Sequence, residues 1–557
     1  MNFNDLKYER PNYEEYQKKI HRLAEQMQAA EDEIVFYRML AEYEELERTI
    51  STMETLAFAR CYMDCTDTYY AEEMSYTQAQ HAAIDKNEIA EAMLHTPFRK
   101  SLEEKYGSYL LESIEKKASL KQAGGDDLMR EQELIAEYQN LKAGMTYEFR
   151  GEKLSAGKLE TFLRSADPET RREAGRARRS AFVQLKDQYD RILQELIEVR
   201  VRIAKSNGYD SFLDYMNVEK GRYAYGEKEL TAFCDAVKKM LVPLCGQINA
   251  RLKERLQVSK YTMDDVGIYF TEGNPTPQGD DAFLQAQGQK MFEDMDPQMA
   301  QIFRRMTEGG YMQIAPSDHK ITGMAFTTQI MNEQIPFIFG NCVGTSTDVN
   351  NFVHEFGHAI QMQLSMDRFD MTELYDMPND LAEIPSKTME QMTYHYADLF
   401  FGEKSAQYKE AHALNLIHNF CAYCMTHEYE TFLYLNPEAT AQERIDKFNE
   451  LEMLYFPGVE SVDEDLLSQG CSLYANMGVY MFTRYLISYS LSDISALYLS
   501  SIYTEDKEKG VALYKKLCSF GNSMGYDEAM RELGLEPAYS EAAVRAARDY
   551  LEKQLSL

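Results

Sequence analysis

Val353-His354-Glu355-Phe356-Gly357-His358-Ala359 is the stretch on which the reading of this chain turns. It contains H-E-x-x-H, two histidines four residues apart with a glutamate after the first. On a helix, residues four apart lie on one face, one turn above the other. Two imidazoles so placed can grip one zinc ion, and the neighbouring glutamate can reach a water at that ion. A catalytic zinc site uses three protein ligands and leaves one position open. The stretch therefore asks the rest of the chain for a third ligand, a means of holding a substrate, and donors for a transition state.

Immediately around it, Val349, Phe352, Val353, Phe356, Ile360 and Leu364 form an apolar stripe over a helix running from Val349 to about Ser365, with Asp348 as its cap. His354 and His358 border that stripe, so they can be half-buried. Gly357 within a helix costs roughly 1 kcal/mol against Ala. That cost implies close approach by another element, for instance a strand or a substrate. Before the helix, Met324–Ile330 and Gln334–Asn341 read as short strands. A free strand edge beside the histidines can hydrogen-bond an extended peptide and lay it across a metal. Phe337 to Asn341, including Phe339 and Gly340, and Met324 to Thr328 are the two candidate edges. After the helix, Asp367, Asp370, Glu373, Asp376, Asp380, Glu383 and Glu390 could each complete the site. Glu383 and Glu390 are seven apart, two turns along one helix face. Glu383 can then serve as ligand with Glu390 behind it, on a histidine N–H. Spacing alone does not choose Glu383 over Glu373.

The chain has 557 residues and only 29 Gly and 14 Pro, which favours a mostly helical protein. Its net charge of -32 argues against nucleic-acid binding, which needs a basic footprint. No basic region followed by an apolar run opens the sequence, and no 18-residue apolar segment occurs, so neither a leader nor a membrane span is expected. Nine cysteines without framework spacing fit a reduced, cytoplasmic setting. Cys421-x-x-Cys424 has no second pair at finger spacing and reads as buried free thiols.

From Asn12 to Thr96 there is neither Gly nor Pro. Leu23, Met27, Ala30, Ile34, Tyr37 and Ala41 recur at three and four, which predicts one or more long amphipathic helices. Thr146–Glu152 reads as a short strand and turn. Asp167-Pro168 opens a helix whose Arg171, Arg172, Arg176, Arg178 and Arg179 are expected on a solvated face paired with acidic neighbours.

Gly344-Thr345-x-x-Asp348-Val349, His354-Glu355-Phe356-Gly357-His358-Ala359, Ala382-Glu383-Ile384-Pro385-Ser386 and Glu390 together resemble the thimet oligopeptidase and oligoendopeptidase F zinc peptidases. Arg10-Pro11-Asn12 resembles the lead-in of the shorter oligoendopeptidase F branch. The resemblance implies that Glu383 is the third ligand and that one zinc ion is held per chain. It implies a mostly α fold, a helical ellipsoid with a deep substrate channel and a small β-sheet beside the zinc helix. The expected division is an N-terminal helical domain over 1–190, forming one channel wall, and a catalytic domain over 191–557. The implied activity is that of a zinc metalloendopeptidase acting on short oligopeptides, with Glu355 as general base. The alternative is a peptide-binding protein that keeps zinc and has weak or lost turnover.

An oxyanion needs donors, and the segment Leu473–Tyr503 is rich in phenols. On one continuous helix Tyr474, Gly478, Tyr485 and Tyr489 would fall within about 60° of each other. The resemblance assigns Tyr485 and Tyr489 to the family's tyrosine pair facing zinc. It also exposes a departure. The family's histidine falls at Gly478, and no histidine follows His427. Either that donor is missing here or a tyrosine such as Tyr480 replaces it.

Overall fold

Side-chain caps divide the breaker-free N-terminal stretch. Asn12, Asp32 and Asp67 each accept hydrogen bonds from backbone N–H groups that helix starts leave unpaired. Helices therefore run over Tyr13–Gln28, Glu33–Met63, Thr68–Ala82 and Asn87–Leu94. The restart at Glu33 breaks the apolar phase read across it. Leu23, Met27 and Ala30 are buried as expected, but Ile34 is 80% exposed, and the stripe continues through Phe36, Met39, Leu40 and Tyr43.

The computed structural model describes residues 2–120, 125–321 and 324–557. Helices dominate it, with five short strands among the described residues. It divides into two compact units, each assembled from three chain segments. The first comprises Met1–Ala118, Pro275–Ala406 and Ser495–Leu535. Its sheet contains β3 (Met312–Gln313), β4 (Phe326–Ile330) and β5 (Ile335–Phe339), in the order β3-β5-β4. β4 and β5 pair antiparallel from Phe326↔Phe339 to Ile330↔Ile335, while β3 pairs parallel with Ile338 and Phe339. All five residues of β5 are buried, as its continuous apolar run requires of a central strand. Phe326 stacks on Phe339 with ring centroids 5.0 Å apart, and Phe58 of Glu33–Met63 packs on Phe326 at 4.8 Å. Buried Lys320 closes the end of this sheet. Its Nζ donates to the carbonyls of Gln313, Ala315 and Gly340 at 2.8, 2.7 and 2.9 Å. Burial pushes its pKa down to about 8.

The second unit comprises Ser119–Asn274, Gln407–Ile494 and Glu536–Leu557. It holds the hairpin β1 (Tyr147–Phe149) and β2 (Glu152–Leu154), with Tyr147 opposite Leu154. The arginine-rich helix spans Pro168–Gln184, capped by Asp167 as its sequence predicts. Arg171, Arg172, Arg176 and Arg179 are paired with acids, but two of them are buried rather than solvated. Arg171 meets Asp265 at 2.5 Å with both side chains almost fully enclosed, and Arg179 grips Asp264 through two bonds of 2.7 and 2.8 Å. Cys421 and Cys424 are buried free thiols, as read.

The tyrosine segment is not one helix. It breaks into Cys471–Ala475, Met477–Met481 and Leu486–Glu505. Asn476 caps the second piece through Val479 N, and Arg484 adopts φ 60° before the third. The common face expected for Tyr474, Gly478, Tyr485 and Tyr489 on a continuous helix therefore does not exist. Tyr480 is fully buried and stacks on Tyr138 at 4.2 Å, so it packs the core of the second unit. A Cβ at Gly478 would lie 2.5 Å from Leu486 Cδ1 and 3.0 Å from Asn476 Oδ1. The side chains of Leu486, Asn476 and Thr426 fill the place where the resemblance puts a histidine.

Candidate active site

The helix carrying H-E-x-x-H spans Ser346–Arg368 and starts earlier than its apolar stripe suggests. Thr345 is the cap: its Oγ1 accepts from Asp348 N at 3.3 Å, while Asp348 Oδ2 accepts from Thr345 N at 2.7 Å. Val349, Phe352, Val353, Phe356 and Ile360 are buried, and Phe356 packs on Phe292 and Phe303 at 4.1 and 5.0 Å. Burying that stripe fixes the helix's rotation. It leaves His354 and His358 half-buried, with side chains 19% and 17% exposed.

Their Nε2 atoms face each other at 3.2 Å, and Glu383 Oε2 lies 3.3 Å from each. Among the described residues this is the only such trio of potential metal ligands. Four ligands placed tetrahedrally at about 2.0–2.1 Å from a zinc ion stand roughly 3.3–3.4 Å from one another. The three donor atoms already have that spacing, so the residues fit zinc. The electrostatics agree. Burial opposes a charge on His354, yet its hydrogen bonds to the Glu383 and Glu390 carboxylates outweigh it and raise the imidazole to about 10. Burial likewise opposes ionisation of Glu383, but His354 and His358 hold its carboxyl well below the usual range. The cluster collects positive charge.

Three neighbours hold the donors. Glu390 Oε1 meets His354 Nδ1 at 2.6 Å, which aims the Nε2 nitrogen at the centre of the trio. Ser386 Oγ donates to Glu383 Oε2 at 2.9 Å. Thr327 Oγ1, on β4, lies 2.7 Å from Glu355 Oε2 and 2.9 Å from the Glu355 carbonyl. Ser386 was legible as a neighbour of Glu383, three residues on along a helical turn. Nothing local linked Thr327 to Glu355, 28 residues away.

Gly357 explains how the glutamate reaches the histidines. A Cβ there would lie 2.5 Å from Ser386 Cα and 2.8 Å from Pro385 O. The close approach is thus made by the helix Ile384–Met392, and the strand and substrate considered from sequence are not needed. Gly357→Ala must push backbone away from backbone. We expect it to cost about 1–3 kcal/mol and to loosen zinc binding by displacing Glu383. Melting temperature and zinc content measure both, and a variant as stable and as metal-rich as the parent would rule out this tight contact.

Two sets of expected residues are placed differently from the trio. Phe337, Phe339 and Gly340 are buried, and β5 is paired with β4 on one side and β3 on the other. These residues therefore offer no free edge to a peptide. β4, the other edge considered, is one of the two outer strands of the sheet, and its Thr327 touches Glu355. Tyr485 and Tyr489 belong to the second unit. Both are half-buried, their rings meet edge-on at 5.3 Å, and Tyr489 packs near Tyr423 at 5.7 Å.

Residues 3–120 match the family model of the Peptidase M3 N-terminal domain, and residues 285–549 match that of Peptidase family M3. The chain belongs to peptidase family M3. Solved structures place it in the oligoendopeptidase F branch of that family. A candidate oligoendopeptidase F superposes with a TM-score of 0.90 at 29% identity, covering 100% of this chain and 99% of the other. PZ peptidase A, solved with an inhibitor, gives 0.90 at 28% identity over 100% and 99%. A candidate oligoendopeptidase F from Bacillus anthracis str. Ames gives 0.84 at 26% identity over 100% and 98%. None of the curated protein sequences matches the chain. Membership in family M3 makes the protein a metallopeptidase and its substrates peptides. No described helix is long and apolar enough to cross a membrane.

Proposed function

We propose that this M3 chain is a zinc-dependent endopeptidase that hydrolyses internal bonds of short oligopeptides, with one zinc ion per chain. The observation that carries the reading is the trio His354, His358 and Glu383, spaced at 3.2–3.3 Å beside a glutamate held by Thr327. When bound there, zinc supplies a Lewis acid that polarises a carbonyl and makes water acidic near neutral pH. Glu355 takes the proton from the attacking water and delivers it to the leaving amine. Thr327 fixes the carboxylate from one oxygen, Oε2, leaving Oε1 for the proton. Glu390 and Ser386 hold His354 and Glu383 in their orientations, so these side chains do not reorganise during turnover. The outer edge of β4 is suited to pair with an extended substrate backbone, with Thr327 tying that strand to Glu355. Tyr485 and Tyr489 would donate phenol O–H groups to the developing oxyanion. The nine free thiols fit a reducing, cytoplasmic setting, and the charge of -32 argues against non-specific nucleic-acid binding.

The decisive experiment is a digest of a mixed peptide library with the zinc-loaded protein, a chelated control and a Glu355→Gln variant. Cleavage at internal bonds that chelation abolishes is expected. A library left intact by the zinc-loaded protein would favour a zinc-retaining peptide-binding protein.

Thr327 allows a finer test. Thr327→Val keeps the strand's shape and removes the hydroxyl. A hydrogen bond to a charged group contributes roughly 1.5–3 kcal/mol, so kcat is expected to fall about tenfold or more, with KM and zinc content unchanged. Thr327→Ser should restore most of the rate. A normal kcat in the valine variant would show that Glu355 needs no such anchor.

A further inference from the structure

The carboxylate that aims His354 is shared. Glu390 Oε1 lies 2.6 Å from His354 Nδ1 and 3.2 Å from Lys387 Nζ, so an imidazole and an ammonium converge on the same oxygen. Lys387 stands three residues before Glu390 on the helix Ile384–Met392, which makes the two side chains neighbours. This is not a solvent-screened surface pair. The Lys387 and Glu390 side chains are 15% and 6% exposed, and burial of this kind weakens the screening of a charge by salt and water.

A carboxylate on a histidine N–H raises the electron density of the opposite nitrogen and strengthens its hold on a metal. Glu390 shares that effect between His354 and Lys387. The charge count leads the same way. In the zinc-binding form both imidazoles are neutral, Glu383 and Glu390 bring two negative charges to them, and Lys387 cancels one of these. A fixed cation next to a cluster that collects positive charge must lower its affinity for a divalent ion more than for a proton, because the repulsion scales with the charge that enters.

We infer that Lys387 is a positioning residue that acts through Glu390 on His354 and weakens the hold of the His354–His358–Glu383 trio on zinc. Occupancy of the site then follows the ambient zinc level more closely than it would with Glu390 unshared. The inference rests on the zinc reading above and adds a regulatory consequence to it.

The test is a zinc affinity measurement in the absence of peptide. Full-length protein is stripped of metal, and zinc alone is returned in competition with a chromogenic chelator at fixed pH. Lys387→Gln is expected to bind zinc about tenfold more tightly, the scale of one unit charge acting across a partly screened interior. Lys387→Met, which keeps the aliphatic stem, should tighten it equally. Lys387→Arg keeps the charge and should bind like the parent. Melting curves of the zinc-free variants establish that each is folded. Equal or looser binding in both neutral variants would overturn the inference and leave Lys387 as a mere support for Glu390. Tightening by Gln alone would overturn it too, since a new amide hydrogen bond would then be the cause. A parent that takes up no zinc, or that His354→Ala leaves unimpaired in affinity, would instead defeat the zinc reading itself.

Discussion

Glu355→Gln is expected to lower kcat/KM on the order of 10³-fold, within the range by which positioned acids and bases accelerate proton transfer, while one zinc per chain is retained. The amide is nearly isosteric with the carboxylate. It can still accept the Thr327 hydroxyl, so the contact between β4 and the motif helix survives. Glu355 is 7% exposed and is not one of the three residues that could hold the metal, so the donor spacing should be unchanged. What disappears is a group able to bind a proton from water and release it to the leaving amine. Metal analysis and peptide kinetics on one preparation give both numbers. Turnover within tenfold of the parent would remove Glu355 from its role as base and move the search to another carboxylate.

Glu383→Ala should have the second largest effect, through the metal and not the proton. Replacing even a group that only orients a ligand typically weakens metal binding about 10–100-fold, so loss of a ligand should cost at least roughly 100-fold. The variant leaves two imidazole nitrogens 3.2 Å apart without a carboxylate, and it strips Ser386 Oγ of its side-chain acceptor. His354 also loses the first of the two carboxylates that raise its pKa. Dialysis against metal-free buffer followed by zinc analysis should find the variant nearly empty under conditions in which the parent stays loaded. Activity should return only with a large excess of zinc, if at all. A variant that stays loaded would show that another acid, such as Glu373, completes the site.

Much of the site was legible because its parts are local. Four-residue spacing puts His354 and His358 on one helix face regardless of context, and the apolar stripe beside them dictates which face is half-buried. Seven-residue spacing does the same for Glu383 and Glu390. Asp167-Pro168 and the short strands were readable for a similar reason: caps, prolines and alternating apolar residues act within one turn or one hairpin. Where local signals were misread, a neighbouring side chain had changed the phase. Asp32 restarts the second helix and turns Ile34 outward. Asn476 and Arg484 break the tyrosine segment into pieces with different axes.

By itself, then, the sequence determined the helical class, the motif helix and the pairs of residues that share its faces and those of the glutamate helix, all of which follow from backbone periodicity. The resemblance selected Glu383 among the seven acids. Tertiary structure alone decided the rest. It put β5 between β3 and β4, so that the edge beside Glu355 is β4 and the buried residues are Phe337 and Phe339. It brought Thr327 to Glu355 and Lys387 to the oxygen that aims His354. It buried Arg171 and Arg179 against aspartates more than 80 residues away. The physical reason is the same in each case. A short apolar run carries no label for the strand that will flank it, and a polar side chain carries none for its distant partner. Those choices are made only when the core closes and every buried donor must find an acceptor.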